Sequence, residues 1–506
     1  MRRGIRFLSA LLAVLALTGC WQEELPEREP ASLVEPGEET EEPASLLPGA
    51  FSLPYAPDQS LDPIDCPDGM QQVVLSLVCE GLFRLDPGLQ PEEGLCGGYT
   101  YDPEGAEYVF TLREGAVFSD GSPLTAADVR ASLERARTSR RYGARLSEIR
   151  SVSARDGTVT VRLEAPNSGF PALLDVPISK SGGDGLPVGT GPYRFSREEG
   201  ALCLTANELW RGGGGRPVDR ISLVEAADGD AMRYRFSSHE VQLIAADLTG
   251  TQPFTATGRV RTWDAATTVL QFIGCNTAAA PLDDGAFRRL LWAGIDRDNV
   301  TGAFLSGHAA AAQFPVSPLC GLYPAELEEP YSRDAFAQAV RSSGYVPERT
   351  LRLLVDRENG FKTAVAQELA ESFTEAGIPT EVQVLPWEEF TAALEAGDFD
   401  LYYGETRLTA DWDLSALLAE GGALNFGGWA DPRTEELIGA YRAAEDRREG
   451  MRALCAHLAQ EAPILPVCFK SLTILSQAEV VEGGISTAAE PFYDLGSFQI
   501  HLADGG

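Results

Sequence analysis

Residues 95–137 constrain the fold of this chain more than any other stretch. Large apolar side chains recur at every second position from Tyr108 to Leu112, which is the period of a β-strand. Asp120-Gly121 is a turn dipeptide, and Thr125 stands three residues before Asp128, as in a capping box at a helix N-terminus. The stretch therefore predicts a strand, a hairpin-like turn, a second strand and a capped helix.

Composition limits the classes of protein to which the chain can belong. Its 506 residues are 44% hydrophobic, which is enough for a large core and for more than one domain. The net charge of −34 argues against a nucleic-acid partner, because phosphates are bound by Lys and Arg. The 4 His are scattered without an H-E-x-x-H pattern, so we expect no His-built metal site, and nothing indicates a cofactor.

The N-terminus has the pattern of an exported, lipid-modified protein. Arg2, Arg3 and Arg6 precede an apolar run at 7–17 that is too short for an ordinary membrane span. The box 17–20, Leu-Thr-Gly-Cys, resembles a bacterial lipoprotein cleavage site. We predict a signal peptide at 1–19 and a lipidated Cys20 as the mature N-terminus. An uncleaved anchor or a plain signal peptide are the alternatives.

The segment that follows Cys20 predicts a tether. Residues 21–48 hold nine Glu and five Pro with little apolar periodicity, so they cannot bury enough surface to fold. We assign residues 20–48 to the lipidated Cys and an acidic spacer. Eight further Cys follow, an even number that permits disulfides in an exported chain, but their pairing cannot be read from spacing.

A second region of clear pattern lies at residues 351–404. Strands are predicted at 351–356, 380–386 and 399–404, and helices at 361–376 and 387–396, each helix followed by a glycine. Strands that alternate with helices favour a mostly parallel α/β sheet. A further helix with one apolar face is predicted at 283–298.

The order of residues in the opening stretch also resembles a known family. The run from Phe110 to Val129 resembles the signature of the family 5 extracellular solute-binding proteins, which are the oligopeptide, dipeptide and nickel receptors of ABC importers. Val188–Phe195 resembles the "G-T-G-P-Y" element of that family, and 283–298 resembles one of its helices. The resemblance extends from about residue 50 to about residue 475.

The resemblance implies a fold and its division. The expected fold is a two-lobed α/β structure of the type II periplasmic-binding-protein kind, with mixed sheets and a ligand cleft between the lobes. Lobe I would comprise 49–269 and 476–506, with an extra subdomain inserted at about 90–187, and lobe II would comprise 270–475.

The resemblance also implies a function. The chain would be a monomeric receptor, exported and anchored by lipid to the outer face of the cell membrane. It would capture a small solute, in the first place a peptide, for the permease and ATPase subunits of an ABC importer.

The segment after the predicted strand at 399–404 supplies the main site candidates. Peptide-binding members carry an "A-D-Y/W" motif here, and the resemblance implies that Asp411 receives the α-amino group of the ligand; the alternative is a surface or turn carboxylate. A buried ammonium needs a carboxylate partner, so this role is chemically reasonable. Arg407 is a candidate for a ligand carboxylate, or it pairs with Glu405. Asp413 is interpreted as the cap of a helix at 414–419.

Other candidates are aromatic or lie in loops near this segment. Trp412 and Trp429 would wall a pocket or belong to the core, Asn425 lies in the loop before Trp429, and Tyr55 ends the first predicted strand.

Two alternatives remain open. Within the receptor class, the ligand could be another amine-bearing solute, an oligosaccharide or a chelated metal. An exported hydrolase is the alternative of another class, and it is disfavoured because the sequence has no G-x-S-x-G motif, no nucleophile beside a plausible His and no metal set. We therefore expect no catalytic residues.

The predicted lipid anchor can be tested directly. Replacing Cys20 by Ala removes the thiol that would carry the lipid, so we expect the protein to leave the membrane fraction. Cell fractionation and mass spectrometry of the N-terminal peptide measure this. Normal processing and membrane retention of the Cys20→Ala variant would contradict the prediction.

Overall fold

The computed structural model describes residues 47–67, 69–212, 215–252, 254 and 259–503. The predicted signal peptide, Cys20 and all but the end of the predicted tether lie outside these residues. Among the described residues, no helix is both long and apolar enough to cross a membrane.

The secondary structure is mixed, and its elements are numbered in chain order. The strands are β1 Ser52–Tyr55, β2 Phe83–Leu85, β3 Pro91–Glu93, β4 Cys96–Asp102, β5 Glu107–Leu112, β6 Ile149–Arg155, β7 Thr158–Leu163, β8 Lys180–Ser181, β9 Pro187–Val188, β10 Tyr193–Glu198, β11 Ala201–Ala206, β12 Arg220–Glu225, β13 Leu243–Ala246, β14 Val260–Cys275, β15 Ala309–Ala311, β16 Leu351–Asp356, β17 Thr380–Leu385, β18 Leu401–Arg407, β19 Ile464–Gln477, β20 Val481–Ile485 and β21 Asp494–Ile500.

The helices are α1 Met70–Ser76, α2 Ala126–Thr138, α3 Gly229–Ser237, α4 Gly285–Ala293, α5 Arg297–Asn299, α6 Arg333–Ser342, α7 Gly360–Ala376, α8 Trp387–Ala396, α9 Ser415–Leu418, α10 Pro432–Ala443 and α11 Arg447–Glu461. Short 3₁₀ segments lie at Phe170–Leu173 and Ala325–Leu327, and a π segment lies at Val300–Phe304.

The opening stretch folds largely as predicted. β5 and α2 are present, and the capping box is complete: the Asp128 amide donates to Thr125 Oγ1 at 3.4 Å, and the Thr125 amide donates to the Asp128 carboxylate at 2.8 Å. The predicted second strand is wrong, because only one bridge, between Val117 and Pro123, flanks the turn. α2 instead packs on a four-stranded antiparallel sheet of order β4-β5-β7-β6.

The largest sheet is mixed, with the order β13-β19-β14-β18-β16-β17, and β15 adds to β19. β16 pairs in parallel with β17 and β18, as predicted for 351–404. β14, however, runs antiparallel to both β18 and β19. The prediction of a mostly parallel sheet is therefore confirmed for residues 351–404 but wrong for the whole sheet. The antiparallel strands β14 and β19 come from parts of the chain outside 351–404, where strands and helices do not alternate in this way.

Both faces of this sheet are buried. On β16, Leu353 and Val355 face one core cluster, which holds apolar residues of α4, α6 and α7, and Leu354 faces another, which holds those of α8, α10 and α11. Such a near-continuous apolar strand is typical of a sheet that is covered by helices on both sides. A further four-stranded sheet, β1-β12-β11-β10, packs in a separate cluster.

Glycines end the predicted helices at the expected places. Gly377 and Gly397 follow α7 and α8 with φ of 107° and 67°, in the left-handed region that favours glycine. The helix predicted at 283–298 is divided into α4 and α5 at Gly294, where a Cβ would meet the Phe336 ring at 2.5 Å. The eight Cys of the described chain are buried and form no disulfide.

The capping box gives a test of local stability. Thr125→Ala removes the hydroxyl that accepts the Asp128 amide, so we expect the free energy of unfolding to fall by about 1 kcal/mol. Urea unfolding followed by circular dichroism measures this. Thr125→Ser is the matched control, since it keeps the hydroxyl and should stay within a few tenths of a kcal/mol. Equal losses in both variants would contradict a capping role.

Candidate functional site

A cavity of about 840 Å³ is the main candidate site. Its walls come from residues far apart in the chain, including six between 141 and 148, residues 406–411 with Asp413, and 487–490. Thr267 and Thr268 border it where β14 changes register against β19. A volume of this size suits a small-molecule ligand.

The segment after β18 forms one wall of the cavity. The Leu408 amide donates to the Thr268 carbonyl at 2.9 Å, and the Thr268 hydroxyl donates to the Leu408 carbonyl at 2.6 Å, so the chain is tied to β14 just past the strand. A turn follows, in which the Trp412 amide donates to the Thr409 carbonyl at 2.9 Å. Trp412 has a φ of 57°, an uncommon left-handed conformation for a bulky residue.

In this turn the side chains of Asp411 and Trp412 take different directions. Asp411 lines the cavity, although the residue is only 3% exposed. Trp412 is fully buried in the core, where it packs edge-on against Phe469 at 5.6 Å between ring centroids. The structure therefore places one of these two neighbouring candidates at the cavity and the other beneath it.

Two further carboxylates, one amide and one guanidinium gather around Asp411. Asn167 Nδ2 donates to Asp411 Oδ2 and to Glu148 Oε1, each at 2.8 Å. Arg442 forms an ion pair with Glu148 and lies 3.4 Å from Asp413 Oδ2. We call these five residues, Glu148, Asn167, Asp411, Asp413 and Arg442, the acidic recess. Its formal charge is negative, so it can compensate a cationic group.

Burial alters the titration of Glu148. Its side chain is 16% exposed, and desolvation raises the pKa of its carboxyl to about 7. The positive charge of Arg442 opposes this rise, whereas the negative charges of Asp411 and Asp413 add to it.

Arg407 and Glu405 do not form the pair that was one of the alternatives. Arg407 lines the cavity, and no described residue forms an ion pair or a side-chain hydrogen bond with it. Glu405 instead accepts from Gln271 Nε2 at 2.8 Å and lies 3.6 Å from Lys470 Nζ and 3.8 Å from Lys362 Nζ. Arg407 is therefore available to an anionic group in the cavity.

The remaining candidates lie away from the cavity lining. Asn425 Nδ2 donates to the carbonyl of Trp429 at 2.7 Å, and Trp429 Nε1 donates to Thr434 at 3.1 Å, so both residues organise the loop before α10. The Tyr55 hydroxyl donates to Glu225 at 3.2 Å at the end of β1. Asp413, in contrast, lines the cavity and accepts from the Ser415 amide at 2.9 Å; the predicted capping position is wrong by one residue, because Leu414 is the N-cap of α9.

Sequence analysis did not find Glu148, Asn167 and Arg442. Asn167 and Asp411 are 244 residues apart, and no local motif marks Asn167 as the partner of Asp411. The described residues contain no group of His, Cys, Asp and Glu that could hold a metal ion.

Comparisons with known proteins agree on one family of solute-binding proteins. The model of the bacterial extracellular solute-binding proteins, family 5 (middle region), matches residues 90–419. The glutathione-binding protein GsiB of Salmonella typhi is 25% identical over 387 residues, which cover 71% of this chain and 75% of that protein.

Solved structures share the fold. The nickel ABC transporter protein of Bacillus halodurans has a TM-score of 0.75 at 20% identity, over 89% of this chain and 100% of that one. The oligopeptide-binding protein AppA of Bacillus subtilis, solved with a nonapeptide, has a TM-score of 0.60 at 17% identity, over 90% and 99%. The two-lobed type II fold expected from the sequence is confirmed.

The placement of Trp412 gives a prediction. Trp412→Ala removes a fully buried ring, so we expect the free energy of unfolding to fall by about 3–5 kcal/mol. Trp387→Ala is the control, because that ring is 55% exposed and should cost less than about 1 kcal/mol. Urea unfolding measures both. A Trp412→Ala variant as stable as the control would show that the ring is not part of the core.

Proposed function

The chain belongs to the bacterial extracellular solute-binding proteins of family 5, and we propose that it captures a small amine-bearing solute, in the first place a short peptide. The family serves ABC importers, so this chain would deliver its solute to the permease and ATPase subunits of such an importer. The observation that carries the proposal is the buried Asp411 carboxylate on the wall of a cavity of about 840 Å³.

The cavity offers groups of both charges to a zwitterion. The acidic recess would receive the α-amino group at Asp411, and Arg407 would receive the carboxylate. Burying an ammonium without a counter-charge is costly, so Asp411 favours amine-bearing ligands over neutral ones. Because Trp412, Asn425, Trp429 and Tyr55 lie outside the cavity lining, we propose no direct ligand contact for them, and Glu405 would act only through its lysine neighbours.

The division into lobes belongs to the same proposal. We place lobe I at 49–269 and 476–506, with the inserted subdomain at about 90–187, and lobe II at 270–475. Support comes from β14 and β19, which would carry the chain across the boundary side by side, and from the cavity, whose lining residues lie on both sides of it. Ligand would be trapped by hinge closure.

Export, lipid attachment at Cys20 and a monomeric state complete the proposal. The box at 17–20 and the acidic segment at 20–48 support a lipid tether on the outer face of the cell membrane. The protein would be periplasmic or lie on the cell surface, and it would need no cofactor.

Other ligands and another class remain as candidates. One relative is named for glutathione, one similar structure for nickel and one for a bound nonapeptide, so related folds accept several ligands. A neutral oligosaccharide would leave Asp411 uncompensated. The hydrolase alternative gains no support from the described residues: His308 meets Asp264 and Thr473 through the same ring atom, Nδ1, which leaves no relay from carboxylate to hydroxyl.

Two variants test the ligand assignment. We expect trialanine to bind, and Asp411→Asn to weaken it by about 2–5 kcal/mol because the ammonium loses its counter-charge. Arg407→Gln should weaken trialanine but not trialanine amide. Isothermal titration calorimetry measures these affinities, with N-acetyl-trialanine as the ligand that lacks the amine.

The control variant is Asp398→Asn, since Asp398 is exposed and pairs with Arg352 outside the cavity. It should bind trialanine like the unmodified protein. If the Asp411→Asn variant and the unmodified protein bind trialanine with equal affinity, Asp411 is not part of the site. Equal binding of free and acetylated peptide would refute the amine assignment.

A further inference from the structure

Glu148 reaches Asp411 from a distant part of the chain. It precedes β6, whereas Asp411 and Asp413 follow β18 and Arg442 lies in α10. The Glu148 and Arg442 side chains are only 16% and 18% exposed, so their ion pair is largely withdrawn from water. Glu148 also lines the cavity.

Asn167 joins the two carboxylates through one amide nitrogen. Its Nδ2 has two hydrogens, and it donates to Glu148 and to Asp411 at 2.8 Å each. Its Oδ1 accepts from the Gly169 amide at 2.9 Å, so the side chain is held in one orientation. Glu148 and Asp411 are therefore neighbours in a single hydrogen-bonded unit.

The charges of this unit do not balance. When all three carboxylates are ionised, Arg442 is the one cation that forms an ion pair with Glu148 in the described structure, and it also serves Asp413. The groups that face Glu148 are Asp411 and Asp413 after β18, Arg442 of α10, the Asn167 amide, and the hydroxyls of Tyr101 in β4 and Tyr108 in β5. A bound proton or a bound cation would relieve the excess negative charge.

We propose that Glu148 is a specificity-determining residue of the cavity, which holds a proton in the empty receptor and releases it to solvent when the amino group of a ligand enters the acidic recess. This inference rests on the proposed function and deepens it, because it names the ligand as a cation at this end. A neutral ligand displaces no proton and leaves the recess uncompensated.

The direction of the pH effect follows from the charges. The pKa of Glu148 in the empty receptor lies near 7, so about half of the molecules carry the proton at that pH. A cation beside the carboxylate favours its ionised form and lowers its pKa. Affinity for a cationic ligand therefore rises with pH, by about tenfold between pH 5.5 and 7 for a fall of about two pKa units, while an α-amino group stays charged.

The first experiment concerns the empty receptor and a minimal cation. The carboxyl carbon of Glu148 should titrate near pH 7 in a ¹³C NMR experiment on the purified protein, and methylammonium should lower that midpoint. Titration near the ordinary glutamate value, or a midpoint that neither methylammonium nor trialanine moves, would overturn the proposal. This arm does not depend on peptide recognition.

The second experiment measures protons during trialanine binding, by calorimetry at pH 7 in buffers of different ionisation enthalpy. The unmodified protein should release about half a proton, and its affinity should rise about tenfold from pH 5.5 to 7. Glu148→Gln should abolish both effects, and at pH 5.5 it should bind trialanine about fourfold more weakly than the unmodified protein, because Gln resembles the protonated side chain and cannot ionise when the ligand enters. A proton release that persists in Glu148→Gln would overturn the proposal.

The matched control is Glu107→Gln. Glu107 also pairs with an arginine, Arg162, but that pair joins β5 and β7 away from the cavity. This variant should keep the proton release and the pH profile of the unmodified protein. If trialanine does not bind while methylammonium still shifts Glu148, the peptide assignment fails and the role of Glu148 is supported.

Discussion

The antiparallel pairing of β14 with β19 is the constraint on which the rest of the structure depends. The strands are 16 and 14 residues long, so the pair extends from the Trp263 region into the core of the large sheet. Between Ala266 and Leu270 the register shifts, and the hydroxyls of Thr267 and Thr268 donate to neighbouring carbonyls instead. The strands thus stay continuous while the polar backbone beside the cavity remains hydrogen-bonded.

Local signals explain what could be predicted from the sequence. The capping box at Thr125 and the glycine after α7 depend on residues within a few positions, and both are confirmed. The acidic recess depends on packing between residues up to 294 positions apart, as for Glu148 and Arg442, which no periodicity records. Asp411 and Trp412 are adjacent in sequence, but Asp411 lines the cavity and the Trp412 ring lies in the core. The left-handed backbone conformation at Trp412, which accompanies this difference, is not marked in the sequence.

The net charge of the chain and the charged groups at the cavity wall act over different distances. The net charge of −34 gives the chain a negative field, but physiological salt screens such a field beyond about 8 Å. Selection of a ligand must therefore come from groups at the cavity wall. There the acidic recess is largely shielded from water, so its charges are weakly screened, whereas Arg407 is exposed and its side chain has no described ion-pair partner.

Native mass spectrometry of the protein, purified without denaturation, tests the central claim most directly. The claim is that the cavity binds a small solute through a cationic amino group at Asp411. We expect a bound species whose fragmentation reveals a free amine, and we expect Asp411→Asn protein from the same cells to lack it. A bound solute without a cationic nitrogen, or one retained equally by the Asp411→Asn variant, would contradict the claim.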